Sequence, residues 1–154
     1  AGKPVVERRR KIREMDKPLV LVAEDNATNA AIIRAMLADQ PIRVEIYPDG
    51  GSAVEAFERT SPAVVLMDIQ LPDMTGYEAT QRIWAFKEMQ RRATTPIIAA
   101  TASSRPEDQQ ACFDAGLDDF ISKPLNKQQL CAKLTYWISQ SDELSDDTKH
   151  RIAG

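Results

Sequence analysis

The sequence holds one histidine and two cysteines, Cys112 and Cys131, and neither cysteine has metal-ligand spacing. Both fall in segments that read as amphipathic helices, so the expectation is two free thiols in a reducing compartment. No apolar run approaches the roughly 20 residues that a membrane span requires. No apolar stretch follows the basic N-terminal residues, as a secretion signal would demand. These absences predict a cytoplasmic segment without membrane contact. Charge of one sign is not in excess either. Twenty Lys and Arg stand against 23 Asp and Glu, a formal net of −3, which gives no general pull toward nucleic acid. Internal repeats and low-complexity segments are also missing.

What is present suits one compact domain with tails. The chain has 154 residues, 43% hydrophobic and 28% charged, enough to bury a core. Its charge is unevenly placed. Residues 1–17 carry seven Lys/Arg and three Asp/Glu, a local net of +4, which leaves −7 for the remainder. This segment reads as a basic linker or tail, and its RRRKIR run at 8–13 as solvated linker or the end of a preceding helix. Residues 140–154 read as a polar tail, acidic in the middle. The domain is therefore expected over 18–139. The first residue is Ala rather than Met, as in a processed or excised piece.

Short apolar runs alternate with longer amphipathic stretches. The runs are PLVLVAED (18–25), IRVEIYP (42–48), AVVLMDI (63–69), PIIAATA (96–102) and LDDFISKP (117–124). Three are nearly continuous apolar blocks, as expected of parallel strands covered on both faces. The run at 42–48 alternates instead, with Ile42, Val44 and Ile46 facing one way and Arg43 and Glu45 the other, which suits a sheet edge. Helices are expected between the runs. Residues 27–39 place Ala30, Ile33, Met36 and Leu37 on one stripe. Residues 51–60 offer Ala53, Val54 and Phe57, after a turn at Asp49-Gly50-Gly51. Further helices follow at 76–90 and at 106–115, the latter opened by Pro106 and closed by Gly116. The last, 127–139, is capped by Asn126 and buries Leu130, Leu134 and Ile138. Strict alternation predicts an α/β fold, a five-stranded parallel sheet with helices on both faces. Ligand sites in such sheets form at the carboxyl ends of the strands.

Those ends carry chemistry. The first strand ends in Glu24-Asp25 and the third in Asp68, so three carboxylates should converge at one sheet edge. Such a group is costly unless a cation neutralises it. Oxygen ligands without His or Cys favour a hard ion, and Mg²⁺ is the natural candidate. The fourth strand ends in Thr101 and the fifth in Lys123. Beside a phosphoryl group, the ammonium would clamp one oxygen and the hydroxyl would donate to another.

With these residues in view, the chain resembles a response-regulator receiver domain of two-component signalling. The matching segments are VAEDN at 22–26, LMDIQLPDMTGYEA at 66–79, TA at 101–102 and FISKP at 120–124, and the likeness covers about 18–139. AEDNATN (23–29), MDIQLPDMTG (67–76) and AGLDDFISKP (115–124) are most similar to the receivers attached to hybrid histidine kinases. The resemblance implies a flavodoxin-like (βα)5 fold with strand order 2-1-3-4-5. It implies that Asp68 is the phosphoacceptor, receiving phosphate from a histidine kinase or a histidine phosphotransfer protein. Asp25 would ligate Mg²⁺ directly, Glu24 mainly through water, and Gln70 through its backbone carbonyl. Lys123 would pair with Asp68 and then with the acyl phosphate. Thr101 and Phe120 would act as the switch, altering the surface of the fourth helix, fifth strand and fifth helix. Lys123-Pro124 would be a cis bond. Glu24 departs from the commoner Asp, and Phe120 lacks a tyrosine hydroxyl, so any switching there works by packing. A receiver catalyses its own phosphorylation and dephosphorylation, and only a parent hybrid kinase would be a kinase.

Rival readings meet specific objections. A haloacid-dehalogenase-type phosphatase wants a second acid two residues after its nucleophile, and Gln70 stands there. A flavin-binding flavodoxin wants a Ser/Thr/Gly-rich loop after the first strand, where EDNATNA is acidic. A pseudo-receiver, serving only as an interaction module, would not need the full acid, hydroxyl and lysine set. No output domain fits after residue 139, so the chain reads as a stand-alone receiver or one cut from a hybrid kinase.

Overall fold

The computed structural model describes residues 16–90 and 95–153. Five strands run in the order β2-β1-β3-β4-β5, all parallel: β1 (Leu19–Ala23), β2 (Arg43–Tyr47), β3 (Val64–Asp68), β4 (Ile97–Thr101) and β5 (Asp119–Ser122). The α/β architecture and strand order are those expected. Every residue of β1, β3 and β4 is buried, which is why their sequences are unbroken apolar runs. β2 is half-buried throughout and forms one edge, as its alternation predicted, and β5 forms the other.

Alternate side chains of each central strand feed two cores. Val20, Val22, Leu66, Ile98 and Ala100 face α1 (Ala27–Leu37) and α5 (Lys127–Ala153), meeting Ile33, Leu37, Leu130 and Leu134. Leu21, Ala23, Val65, Met67 and Ala99 face the other side, against Phe57 of α2 (Gly50–Arg59), Ile83 of α3 (Gly76–Gln90) and Cys112 of α4 (Pro106–Asp114). Cys112 and Cys131 are free thiols, the first buried and the second half-buried. None of the described helices is long and apolar enough to cross a membrane.

Two element ends differ from the sequence expectation. Gly50 and Gly51 form the first turn of α2 and not a turn ahead of it, with Asp49 as the N-cap accepting from Ser52 N at 2.7 Å. The reason lies in the loop after β3. Both carboxylate oxygens of Asp73 accept from the Gly50 and Gly51 amides, each at 2.8 Å, so two otherwise orphan helix donors are satisfied from a distant segment. Helix α5 runs to Ala153 and not to 139, because no Gly or Pro interrupts the chain between 127 and 153. Of the expected basic segment 1–17, residues 1–15 lie outside the described residues. Trp84, half-exposed on α3, donates its indole N–H to Gly116 O at 2.9 Å. Gly116 needs to be glycine there: its φ is 96°, and a Cβ would stand 2.6 Å from the Trp84 Nε1.

Candidate functional site

Strand order reverses direction between β1 and β3, and the carboxyl ends of these two strands bracket the crevice where α/β sheets hold ligands. Glu24 and Asp25 leave β1, Asp68 ends β3, Thr101 ends β4, and Lys123 follows β5. All five, with Gln70, line one open cleft of about 550 Å³. The sequence-derived set is thus brought together, apart from Phe120. That ring sits in β5 beside Ala99, packed edge-on to Phe113 of α4 with centroids 6.0 Å apart.

Carboxylate oxygens of Glu24, Asp25 and Asp68 all lie within 4.8 Å of one another. Glu24 and Asp68 are buried, 4% and 6% exposed, whereas Asp25 is exposed. Lys123 bridges the buried pair, donating from Nζ to Asp68 Oδ2 at 3.0 Å and to Glu24 Oε2 at 3.2 Å. The remaining oxygens are also engaged. Asp68 Oδ1 accepts from Gln70 N at 3.1 Å, and Glu24 Oε1 accepts from Asn26 N at 3.1 Å. Burial pulls the Lys123 ammonium down, but the Asp68 and Glu24 carboxylates outweigh it and hold the group above its ordinary value.

Three carboxylates against one ammonium leave a surplus of negative charge in a partly dry site. An all-oxygen donor set with one exposed member fits a hard divalent cation that keeps several waters. The residues therefore fit Mg²⁺. Lys123-Pro124 is a cis bond, as expected.

Several neighbours were not legible from the motifs. Asn26 caps α1 by accepting from Asn29 N at 2.9 Å while its own amide holds Glu24, and an Asx just ahead of a periodic apolar stretch was the available signal. Ser103 and Asp108 also line the cleft, and nothing in their spacing announces it. Beside Phe120, Asp119 accepts from Lys133 Nζ and from Trp137 Nε1, both at 2.9 Å, which ties α5 to β5. Burial alone would raise the Asp119 carboxyl, yet Trp137 and Lys133 outweigh it and hold it below its ordinary 3.8. A lowered folded-state value means that its stabilisation is complete above pH 3.8 and lost as pH falls through the folded value. An Asp119→Asn protein should be less stable than wild type by about 1 kcal/mol at neutral pH. Urea unfolding across pH should show that gap closing in acid; a constant gap would exclude this role.

Comparison with known proteins agrees with the geometry. The profile of the family described as response regulator receiver domain matches residues 20–135. The aerobic respiration control sensor protein ArcB of Escherichia coli K12 is 36% identical over 140 residues, 88% of this chain and 18% of its own length. The sensor protein GacS of Pseudomonas syringae is 32% identical over 120 residues, 78% of this chain and 13% of its own length. Among solved structures, the receiver domain of the sensor histidine kinase PA1611 from Pseudomonas aeruginosa PAO1 has 37% identity and a TM-score of 0.71. The match covers 80% of this chain and 98% of that one, which holds a magnesium ion in its active-site cleft. A co-crystal structure of the Saccharomyces cerevisiae histidine phosphotransfer protein Ypd1 with the receiver domain of Ssk1 matches with TM-score 0.75 and 31% identity. It covers 79% of this chain and 88% of that one. The chain belongs to the response-regulator receiver domain family of two-component signal transduction. Its homologues include receiver domains of hybrid histidine kinases, of whose full length it spans under a fifth.

Proposed function

We propose that Asp68 is the phosphoacceptor of this receiver, taking a phosphoryl group from a phosphohistidine on a histidine kinase or phosphotransfer protein. The observation that carries this reading is the buried Asp68 carboxylate, paired at 3.0 Å with Lys123 in a cleft shared with Glu24, Asp25 and Thr101. A bond forms between an Asp68 carboxylate oxygen and phosphorus as the donor's P–N bond breaks, and that electron pair returns to the imidazole. Phosphoryl transfer depends on positioning and on neutralising charge spread over the equatorial oxygens. Lys123, already at hydrogen-bond distance from Asp68, clamps one such oxygen, and the Thr101 hydroxyl donates to another. Glu24, Asp25, Asp68 and the Gln70 carbonyl would hold Mg²⁺, whose charge would offset that of the phosphoryl oxygens.

The phosphoryl group adds almost two negative charges. Thr101 turns toward it, Phe120 repacks, and the surface of α4, β5 and α5 responds. Residues 18–139 would be the working receiver and 1–17 its linker, within a hybrid kinase like those of the relatives. Intact mass after incubation with acetyl phosphate and Mg²⁺ tests the core of this reading. Wild type should gain one phosphoryl adduct that requires Mg²⁺, and Asp68→Asn should gain none. An adduct surviving in Asp68→Asn would place the acceptor elsewhere. No adduct in a folded, Mg²⁺-binding wild type would instead favour a pseudo-receiver.

A further inference from the structure

The loop that follows Thr101 carries a closed chain of hydrogen bonds. Thr101 Oγ1 accepts from Ser103 N at 3.1 Å, which turns the threonine oxygen toward its own loop. The Ser103 hydroxyl donates to Asp108 Oδ2 and accepts from Arg105 N at 3.3 Å. Asp108 Oδ2 also takes Arg105 Nε at 3.0 Å. The β4–α4 loop is thus folded back onto the first turn of α4, with the Asp108 carboxylate as its hub. Ser103 and Asp108 both line the cleft that holds Asp68.

A serine hydroxyl has one proton to give. Here that proton is committed to Asp108, so Ser103 is not free to donate into the cleft. We infer that the Ser103–Asp108 hydrogen bond is an autoinhibitory latch: it withholds a second hydroxyl donor from the phosphoryl group and fixes Thr101 in its resting orientation. The inference rests on Asp68 being the phosphoacceptor. A phosphoryl group on Asp68 offers Ser103 a competing anionic acceptor and repels the Asp108 carboxylate, which lines the same cleft. The latch then opens, Ser103 and Thr101 both face the phosphoryl oxygens, and the first turn of α4 is released. Asp108 sets the threshold, because the phosphorylated state is favoured only by its differential interactions in the two arrangements.

The test uses the full chain and beryllofluoride, a phosphoryl mimic, with Mg²⁺, followed through backbone amide resonances. Asp108→Ala should lower the half-saturating concentration about three- to tenfold, the range for the net contribution of one typical intramolecular hydrogen bond. In a Ser103→Ala background the same change should have no effect, because no hydroxyl remains to be released. A gain that persists in that background would mean Asp108 acts through its charge alone and overturns the latch. An unchanged or raised half-saturation in Asp108→Ala overturns it as well. Should Asp108→Ala not fold, Asp108→Asn keeps the shape but weakens the bond, and must shift half-saturation downward by a smaller factor. Acetyl phosphate labelling of wild type separates the two readings. No adduct there removes the phosphoacceptor reading and the latch together, whereas an adduct with no Asp108 effect removes the latch alone.

Discussion

A Lys123→Met protein should be less stable than wild type by about 3 kcal/mol without divalent cation, and should recover most of that loss in Mg²⁺. Methionine keeps the apolar stem of the lysine and removes only its charge. What remains is Glu24 and Asp68, both almost wholly buried, with no ammonium between them. Breaking a buried pair from one side costs more than the pair contributes, because the survivors stay desolvated and uncompensated. The Lys123 side chain is itself only 25% exposed, so solvent screens little of the effect. Its folded-state value lies above the ordinary 10.5, so its stabilisation is complete below pH 10.5 and lost as pH rises through the folded value. Neutral pH is therefore the right condition for the measurement. Urea midpoints with and without Mg²⁺ decide the matter. Equal midpoints for variant and wild type in the absence of metal would show that the carboxylates do not depend on the lysine. On the proposed chemistry, acetyl phosphate labelling of the same variant should slow about 100-fold, as for loss of one preorganised oxyanion donor.

A second large effect is expected at Gly76. A Cβ there would stand 2.4 Å from Asp68 O, 2.8 Å from Ile69 Cα and 3.1 Å from Asp68 C. All three are main-chain atoms at the end of a central strand, and none can swing aside. Gly76 N donates to Ile69 O at 2.7 Å, and Gln70 pairs with Thr75 in an antiparallel bridge, so the loop is closed tightly around this contact. Gly76→Ala must therefore displace the backbone that carries Asp68, at a cost of about 3 kcal/mol or more. Gly50→Ala is the informative control. Its Cβ would meet the Met74 side chain at 2.5 Å, and a flexible thioether can repack. Urea midpoints should show a much larger loss at position 76 than at 50. Equal losses would mean that the strand end yields as readily as a methionine.

The carboxyl-end residues were legible because strand burial makes them conspicuous. Glu24 and Asp68 each close a run that is otherwise apolar, and a polar group in such a place needs a reason. Lys123 follows the partly polar β5 and was legible from the FISKP segment. The central strands were legible for the same cause, since both faces of β1, β3 and β4 are covered. Gly50-Gly51 looked like a turn because glycine pairs commonly form turns. Only tertiary contact with Asp73 and Met74, more than 20 residues away, makes them the start of a helix. The polar composition after 139 hides the continuation of α5, because the backbone requires only the absence of breakers. The side chains of Ser103, Asp108, Asp119 and Trp137 carry no signal of their own. Their partnerships are set by how helices lie on the sheet, which a one-dimensional pattern does not record.

Asp73 grips the amides of Gly50 and Gly51, and Met74 fills the space above Gly50. Positions 50, 51, 73 and 74 are therefore not free to drift separately. A side chain gained at 50 must be met by a repacked or smaller side chain at 74. A charge lost at 73 leaves two helix amides to find another acceptor. The turn that starts α2 and the loop that follows Asp68 are, for inheritance, a single unit written in two places along the chain.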